Sequence, residues 1–249
     1  MIEHAILLSA GQGSRMLPLT AERPKCLIDF SGKSLIAWQV EMLARGGVRR
    51  IDVVTGFMTD LVDAELAAIR DPRVTITTRF NPFYKVADNL GSCWIAREAM
   101  EGDFLILNGD TLVGEDIVAK VQAGSEWPIA VTVDIKPAYD SDDMKVTCDP
   151  ATGRLDRIGK TLTAAETNAE SIGFLAFRGE GAALFRNAVR AAMRTPQGVE
   201  HWYLKVIDSL APTGNVGTLS IEGLGWGEVD FLNDIEVATK LTDTWVQTS

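Results

Sequence analysis

Leu7-Leu8-Ser9-Ala10-Gly11-Gln12-Gly13-Ser14-Arg15-Met16-Leu17-Pro18-Leu19-Thr20, followed by Arg23-Pro24-Lys25-Cys26-Leu27, is the stretch that decides how the rest of the chain reads. Residues 4–9 form an apolar, strand-like run that delivers a loop in which Gly11 and Gly13 carry no side chains, so backbone N–H groups there can approach an anion closely. Arg15 and Lys25 supply cations: an arginine can hold two phosphoryl oxygens in a fork, and a lysine adds a compact charge. The pattern GxxxxGK[ST] is absent and the third glycine of GxGxxG is replaced by Met16, so neither the P-loop nor the dinucleotide fingerprint describes the segment. A bare GxG is equally a structural turn. The joint occurrence of AGxGxR, PLT and PKxL after a single strand is what points to a polyphosphate site.

Outward from this loop, the first half alternates short aliphatic runs with amphipathic stretches, the signature of βαβ units and a mostly parallel sheet. Strands are predicted at 4–9, 50–55, 74–78 and 104–107, with helices at 35–43, 60–69 and 91–100. The fourth strand stops at Asn108-Gly109-Asp110, which puts Asp110 at the carboxyl end of a central strand, the edge where open α/β sheets bind ligands. The second half reads as α+β, with strands at 129–135, 145–148, 155–158, 172–177 and 216–221 and helices at 181–193, 200–210 and from about 231. The fold class is therefore α/β: a Rossmann-like, mixed but mostly parallel sheet flanked by helices, with a smaller β-rich lobe. One domain spans 1–249, with its halves at 1–125 and 126–249.

The chain has 249 residues, with 24 Lys and Arg against 34 Asp and Glu, a net charge of −10. Nucleic acid and anionic membrane surfaces are excluded as partners, because no broad basic face can be built from that balance. The N-terminus lacks the basic flank and cleavage site of a signal peptide, no apolar run reaches membrane-spanning length, and Cys26, Cys93 and Cys148 form no metal or disulfide spacing. A cytoplasmic protein with reduced thiols is expected, and a homodimer is compatible with all of this.

The AGxGxR, PLT and PKxL set resembles the signature of the nucleotidylyltransferase superfamily, whose GT-A-like members activate sugar-1-phosphates and phosphoalcohols by transferring a nucleoside monophosphate. In that family a GD pair after the fourth strand ligates magnesium, matched by Gly109-Asp110, and a W-x-E-x-D element supplies the second ligand, matched by Trp226-Gly227-Glu228-Val229-Asp230. Asn81-Pro82-Phe83-Tyr84 with Asp88-Asn89-Leu90-Gly91-Ser92 is similar to the NPxY…NNxxSL stretch of phosphocholine and aminoethylphosphonate cytidylyltransferases. Met144-Lys145-Val146 and Ile158-Gly159-Lys160 are similar to elements of inositol-phosphate cytidylyltransferases.

The resemblance implies an enzyme that moves CMP from CTP to a small phosphoalcohol or phosphonate and releases pyrophosphate, with Mg²⁺ held by Asp110 and Asp230. Arg15 and Lys25 would be catalytic, and Leu8, Ala10, Gly11, Gly13, Asn89, Ser92 and Asp110 would join them around the nucleotide. The base contact by an amide leaves UTP open beside CTP. An acceptor phosphate is already nucleophilic near neutral pH, so positioning and charge neutralisation suffice. For the acceptor the expected residues are Lys145 and Lys160 as phosphate clamps and Glu170, Trp202, Trp226 and Glu228 around its other end. An aromatic and acidic box of Trp202, Tyr203 and Trp226 with Glu170, Glu200 or Glu228 would suit choline or an aminoalkyl group. Two alternatives stand beside this reading: a sugar-1-phosphate uridylyltransferase, and a non-catalytic nucleotide-sensing subunit of the same fold. Asp230 also has a plain reading as the cap of a helix starting at Phe231. The run Asp140-Ser141-Asp142-Asp143 lacks the features of a calcium loop, and His4, His201 and Cys93 have no spaced catalytic partner.

Overall fold

The computed structural model describes residues 1–247. The first half comprises β1 (His4–Leu8), β2 (Asp29–Phe30), β3 (Lys33–Ser34), α1 (Leu35–Arg45), β4 (Arg50–Thr55), α2 (Thr59–Ala68), β5 (Thr75–Phe80), α3 (Asn89–Ala96), β6 (Phe104–Asn108), β7 (Thr111–Val113) and α4 (Glu115–Ala123). The second half adds β8 (Ile129–Asp134), β9 (Lys145–Cys148), β10 (Leu155–Ile158), β11 (Ala169–Phe177), α5 (Glu180–Ala192), α6 (Tyr203–Leu210), β12 (Val216–Ser220), β13 (Trp226–Glu228) and α7 (Asp234–Gln247).

Strands β6, β1, β4 and β5 pair in parallel, in that order. Their apolar runs are continuous where helices cover both faces, as in β1 and β6, which is the pattern a sheet buried on two sides requires. The β-rich second half does not build a sheet of its own. Strand β11 pairs antiparallel with β6 on one side and with β8 and β9 on the other, so nine strands form one sheet across both halves. Two small antiparallel pairs, β2–β3 and β7–β13, lie outside it. Helix α1 starts where the Ser34 side chain accepts from the Ala37 N–H and stops at Gly46, a side-chain cap and a glycine stop.

Several boundaries differ from expectation. The strand predicted at 172–177 extends back to Ala169, because Glu170 and Ser171 pair with β8 and β9 ahead of an irregularity between Ser171 and Leu175. The helix predicted at 200–210 starts only at Tyr203. Residues 199–201 are tied instead to the start of α3, with the Asp88 N–H donating to the Val199 carbonyl (2.7 Å) and the Leu90 N–H to the His201 carbonyl (3.3 Å). The last helix starts at Asp234, and the Asp234 carboxylate, not that of Asp230, accepts from the Asp230 and Phe231 N–H groups. Among the described residues no helix is long and apolar enough to cross a membrane.

His4 is structural. Its Nε2 meets Asp52 Oδ2 at 2.7 Å, and Arg79 and Arg50 donate to the same carboxylate at 2.6 and 3.1 Å. Burial alone would raise the Asp52 pKa, but the hydrogen bonds from His4 and Arg79 outweigh it and hold the carboxyl below its ordinary range. Asp52→Asn is expected to cost about 3 kcal/mol at pH 7, the lower end for breaking a buried pair. Because the folded pKa is depressed, that stability is present above the unfolded value of about 3.9 and is lost as pH falls below it. Melting curves from pH 7 to 3 check this: the gap between wild type and variant should narrow once the pH drops below about 4, and a gap constant with pH contradicts it.

Candidate active site

At the carboxyl ends of the parallel strands the chain builds a cleft of about 590 Å³ over the Gly11–Gly13 loop. The loop is held from within: the Thr20 hydroxyl donates to the Gly13 carbonyl (2.8 Å), and the Gln12 amide to the Thr20 carbonyl (3.2 Å). Met16, fully buried, anchors it in the core. A Cβ placed on Gly11 would meet no atom within 4 Å. What that glycine provides is open access for a ligand to the backbone, as the sequence suggests. A second cavity of about 460 Å³ adjoins the first through Gly11 and Asn89 and is lined by Leu8, Ala10 and Ser92.

The turn after β6 carries Asp110 and is clamped on all sides. Gln39, buried on α1, donates its Nε2 to the carbonyls of Asn108 (2.7 Å) and Thr111 (2.8 Å), and the Thr111 hydroxyl reaches the Ile172 carbonyl at 3.0 Å. The Gly109 N–H bonds the Leu8 carbonyl at 3.1 Å, and a Cβ on Gly109 would lie 2.5 Å from that oxygen and 2.7 Å from Ser9 Oγ. Gly109→Ala must therefore push the β6 turn away from β1. We expect a loss of about 1–3 kcal/mol in stability from overpacking, with a larger proportional fall in activity than a general destabilisation produces; unchanged melting and turnover would contradict the close approach.

Strand β13 runs antiparallel to β7, and the Val229 N–H bonds the Asp110 carbonyl at 3.0 Å. That pairing brings Glu228 and Asp230 to Asp110, with one oxygen of each within 4.8 Å of the others. Lys25 Nζ lies between two of them, 2.9 Å from Asp110 and 2.7 Å from Asp230, and Arg15 reaches Asp230 at 2.9 Å. Burial disfavours the Lys25 charge, yet the two aspartates hold its pKa above the ordinary lysine value. Asp230 is raised by burial but pulled below the usual carboxylate range by Lys25 and Arg15. Glu228 is solvent-accessible, but the protein crowded around it and the charges of Asp110 and Asp230 push its carboxyl up to about 8.

An all-oxygen donor set of this kind suits a hard divalent cation. Asp110 Oδ1 is buried with no hydrogen-bond partner among the described residues, so the cluster fits a metal by its geometry as well as by its chemistry.

The expected residues separate cleanly. Arg15, Lys25, Asn89, Asp110, Lys160, Glu170, Trp202, Glu228 and Asp230 all line the main cleft. Lys145 does not: its side chain is buried and its Nζ donates to the Lys160 carbonyl at 3.2 Å, so it braces the segment that presents Lys160. Trp226 turns away to donate to Asp134 at 2.8 Å and packs on the core. Tyr203 is wholly buried, and Glu200 lines the second cavity. Glu228 belongs with the two aspartates. Its separation by two residues from Asp230 in an extended segment puts both on one face, a signal the sequence does contain.

Tyr84 of the Asn81–Tyr84 motif and Asp142 and Asp143 of the acidic run, which the sequence places in no site, also line the cleft, and so does Lys85, which the sequence reading missed. It missed as well Lys136, which pairs with Glu170 at 2.6 Å and Asp143 at 3.0 Å. Burial pushes the Glu170 carboxyl up to about 7 against the pull of Lys136.

A sequence profile of the family described as nucleotidyl transferase matches residues 4–143. The CTP:phosphoglutamine cytidylyltransferase of Campylobacter jejuni is 26% identical across 94% of this chain and 98% of its own. Among solved structures, the inositol-1-phosphate CTP transferase from T. maritima superposes with a TM-score of 0.78 at 20% identity, covering 97% of each chain. The CTP:phosphocholine cytidylyltransferase from Streptococcus pneumoniae superposes with a TM-score of 0.77 at 18% identity, covering 97% of this chain and 100% of that one. At these identities the two superpositions establish the fold.

Proposed function

The chain belongs to the nucleotidyl transferase family, and from that premise we propose that it transfers CMP from CTP to a small phosphorylated acceptor bearing a cationic group, releasing pyrophosphate. The observation that carries this reading is the meeting of Asp110, Glu228 and Asp230 with Lys25 and Arg15 beside the open Gly11 loop. Asp110 and Asp230, with Glu228 in reach, are the residues that would hold Mg²⁺. When bound, the ion neutralises charge on the α-phosphate. Lys25 and Arg15 bind and orient the triphosphate and take up charge on the departing pyrophosphate. The acceptor phosphate needs no base, since its second pKa is about 6.

Asn89 supports CTP. Its Oδ1 accepts from the Tyr203 N–H at 2.9 Å, which fixes the amide orientation and leaves Nδ2 as the group toward the cavity. An NH₂ donor can meet the adjacent O2 and N3 acceptors of cytosine together, whereas uracil, with an N–H at N3, offers it a carbonyl oxygen alone. For the acceptor, Lys160 lines the cleft with its Nζ 5.2 Å from the Trp202 ring centroid, a cation suited to the phosphate. The cleft also carries Asp142, with Glu170 and Asp143 held on Lys136 beside it, a set of carboxylates that outnumbers its cation and favours a positive group.

The test incubates the protein with CTP or UTP, Mg²⁺ and, in turn, phosphocholine, aminoethylphosphonate, phosphoglutamine and inositol phosphate, following pyrophosphate. Release with CTP and an amine-bearing acceptor is expected. Preference for UTP overturns the base assignment, preference for inositol phosphate overturns the acceptor assignment, and silence with every pair overturns the activity.

A further inference from the structure

Adjoining the cleft through Lys25, Asn108 and Asp110 is a smaller cavity of about 180 Å³ that Ser9 also lines. Three of these residues carry a buried side-chain oxygen with no hydrogen-bond partner among the described residues: Ser9 Oγ, Asn108 Oδ1 and Asp110 Oδ1. Leaving one such oxygen unpaired costs about 1–3 kcal/mol, so Ser9 Oγ and Asn108 Oδ1, beside the Asp110 oxygen assigned to the cation, mark a place built to receive hydrogen-bond donors. A water occupies roughly 30 Å³ of liquid volume, so the cavity accommodates several.

The seat of Asn108 reinforces this. Gly173 on β11 has φ +73°, and a Cβ there would lie 2.4 Å from Asn108 Nδ2. The irregularity in β11 and the missing side chain make room for the amide against the strand. Below it, Gln39 holds the Asn108 carbonyl. Both ends of the residue are thus constrained, while the oxygen of the amide stays unpaired.

We infer that Ser9 and Asn108 are positioning residues that accept hydrogen bonds from the water shell of the cation ligated by Asp110. Mg²⁺ dehydrates reluctantly and keeps several waters when carboxylates hold it, and those waters are O–H donors of the kind that Ser9 Oγ and Asn108 Oδ1 lack. Neither residue is a ligand. They would steady the hydrated ion beside Asp110. The inference rests on the metal reading proposed above, and its test keeps the two apart.

The probe is Mn²⁺ alone, titrated into the full-length protein and followed by electron paramagnetic resonance and water-proton relaxation. Asn108→Ala is expected to weaken Mn²⁺ about tenfold, at the low end of what the loss of an outer-shell partner costs, and Ser9→Ala to weaken it less. Asn108→Asp, which keeps the acceptor oxygen, should restore affinity to the wild-type level or above. Should Asn108→Ala fail to fold by its melting curve, Ser9→Ala decides, since Ser9 Oγ makes no hydrogen bond to lose. Unchanged Mn²⁺ affinity in folded variants overturns the inference if Asp110→Asn does weaken it. If Asp110→Asn has no effect either, or wild type binds no Mn²⁺, the metal reading itself fails. CTP affinity in EDTA should be the same in wild type and both alanine variants; a loss there shows that the cavity takes nucleotide hydroxyls and overturns the water-shell role.

Discussion

Asp110→Asn should reduce single-turnover transfer by about 10³-fold, the upper range seen when one preorganised charge or dipole is removed from a water-poor site. The substitution keeps the shape of the side chain, and the turn that carries it is fixed independently by Gln39, Thr111 and the Gly109 N–H. The melting temperature should therefore fall only modestly, because Lys25 retains Asp230 at 2.7 Å. CTP should still bind in the absence of divalent ion, since Arg15 and Lys25 remain. Turnover within tenfold of wild type would exclude Asp110 from the chemistry. A collapse in melting temperature would instead reassign it to the fold.

Lys25→Met is expected to lower turnover by about 10²–10³-fold and, unlike the first variant, to change how the protein responds to divalent ions. In the wild type an ammonium holds Asp110 and Asp230 together, and Glu228 stands beside them. Removing it leaves Asp110 without its ion pair and Asp230 with Arg15 alone, and a loss of about 3–5 kcal/mol is the usual scale when one partner of a buried pair is deleted. Mg²⁺ can replace the missing charge. Adding it should therefore raise the melting temperature of Lys25→Met by more than that of wild type, since a ligand stabilises more the tighter it binds the folded state. Equal shifts in the two proteins would mean that Lys25 and the cation do not share the carboxylates.

Much of this arrangement is legible in the sequence because its elements are local. The strand, the glycine loop and the two basic residues lie within residues 4–25, and Asp110 ends an apolar run that can only be a buried strand. The parts that were not legible depend on pairing at long range. Strands β7 and β13 have three residues each, too short for a periodic signal, yet their pairing brings Glu228 to Asp110. Lys145 and Lys160 look alike as isolated lysines on β-rich sequence, and only the packing of β9 against β11 buries one and leaves the other on the cleft wall. Glu170 and Ser171 broke the apolar pattern of β11 and shortened its predicted span. Lys136, which pairs with Glu170, lies 34 residues away. Tyr203 and Trp202 are adjacent, and whether an aromatic faces core or cleft at a helix start depends on where that helix begins.

Strand β11 has a consequence for any attempt to divide the protein. It comes from the second half but fills the middle of the sheet, hydrogen-bonded to β6 of the first half through Phe174, Leu175, Ala176 and Phe177. A cut in the segment 124–128 would leave β6 with an open row of backbone donors and acceptors, the kind of edge that pairs indiscriminately with other chains. It would also leave β11 without β6, the strand it pairs with in the first half. The two fragments should be insoluble alone and should regain structure only when refolded together, so neither half is a portable nucleotide-binding or acceptor-binding module.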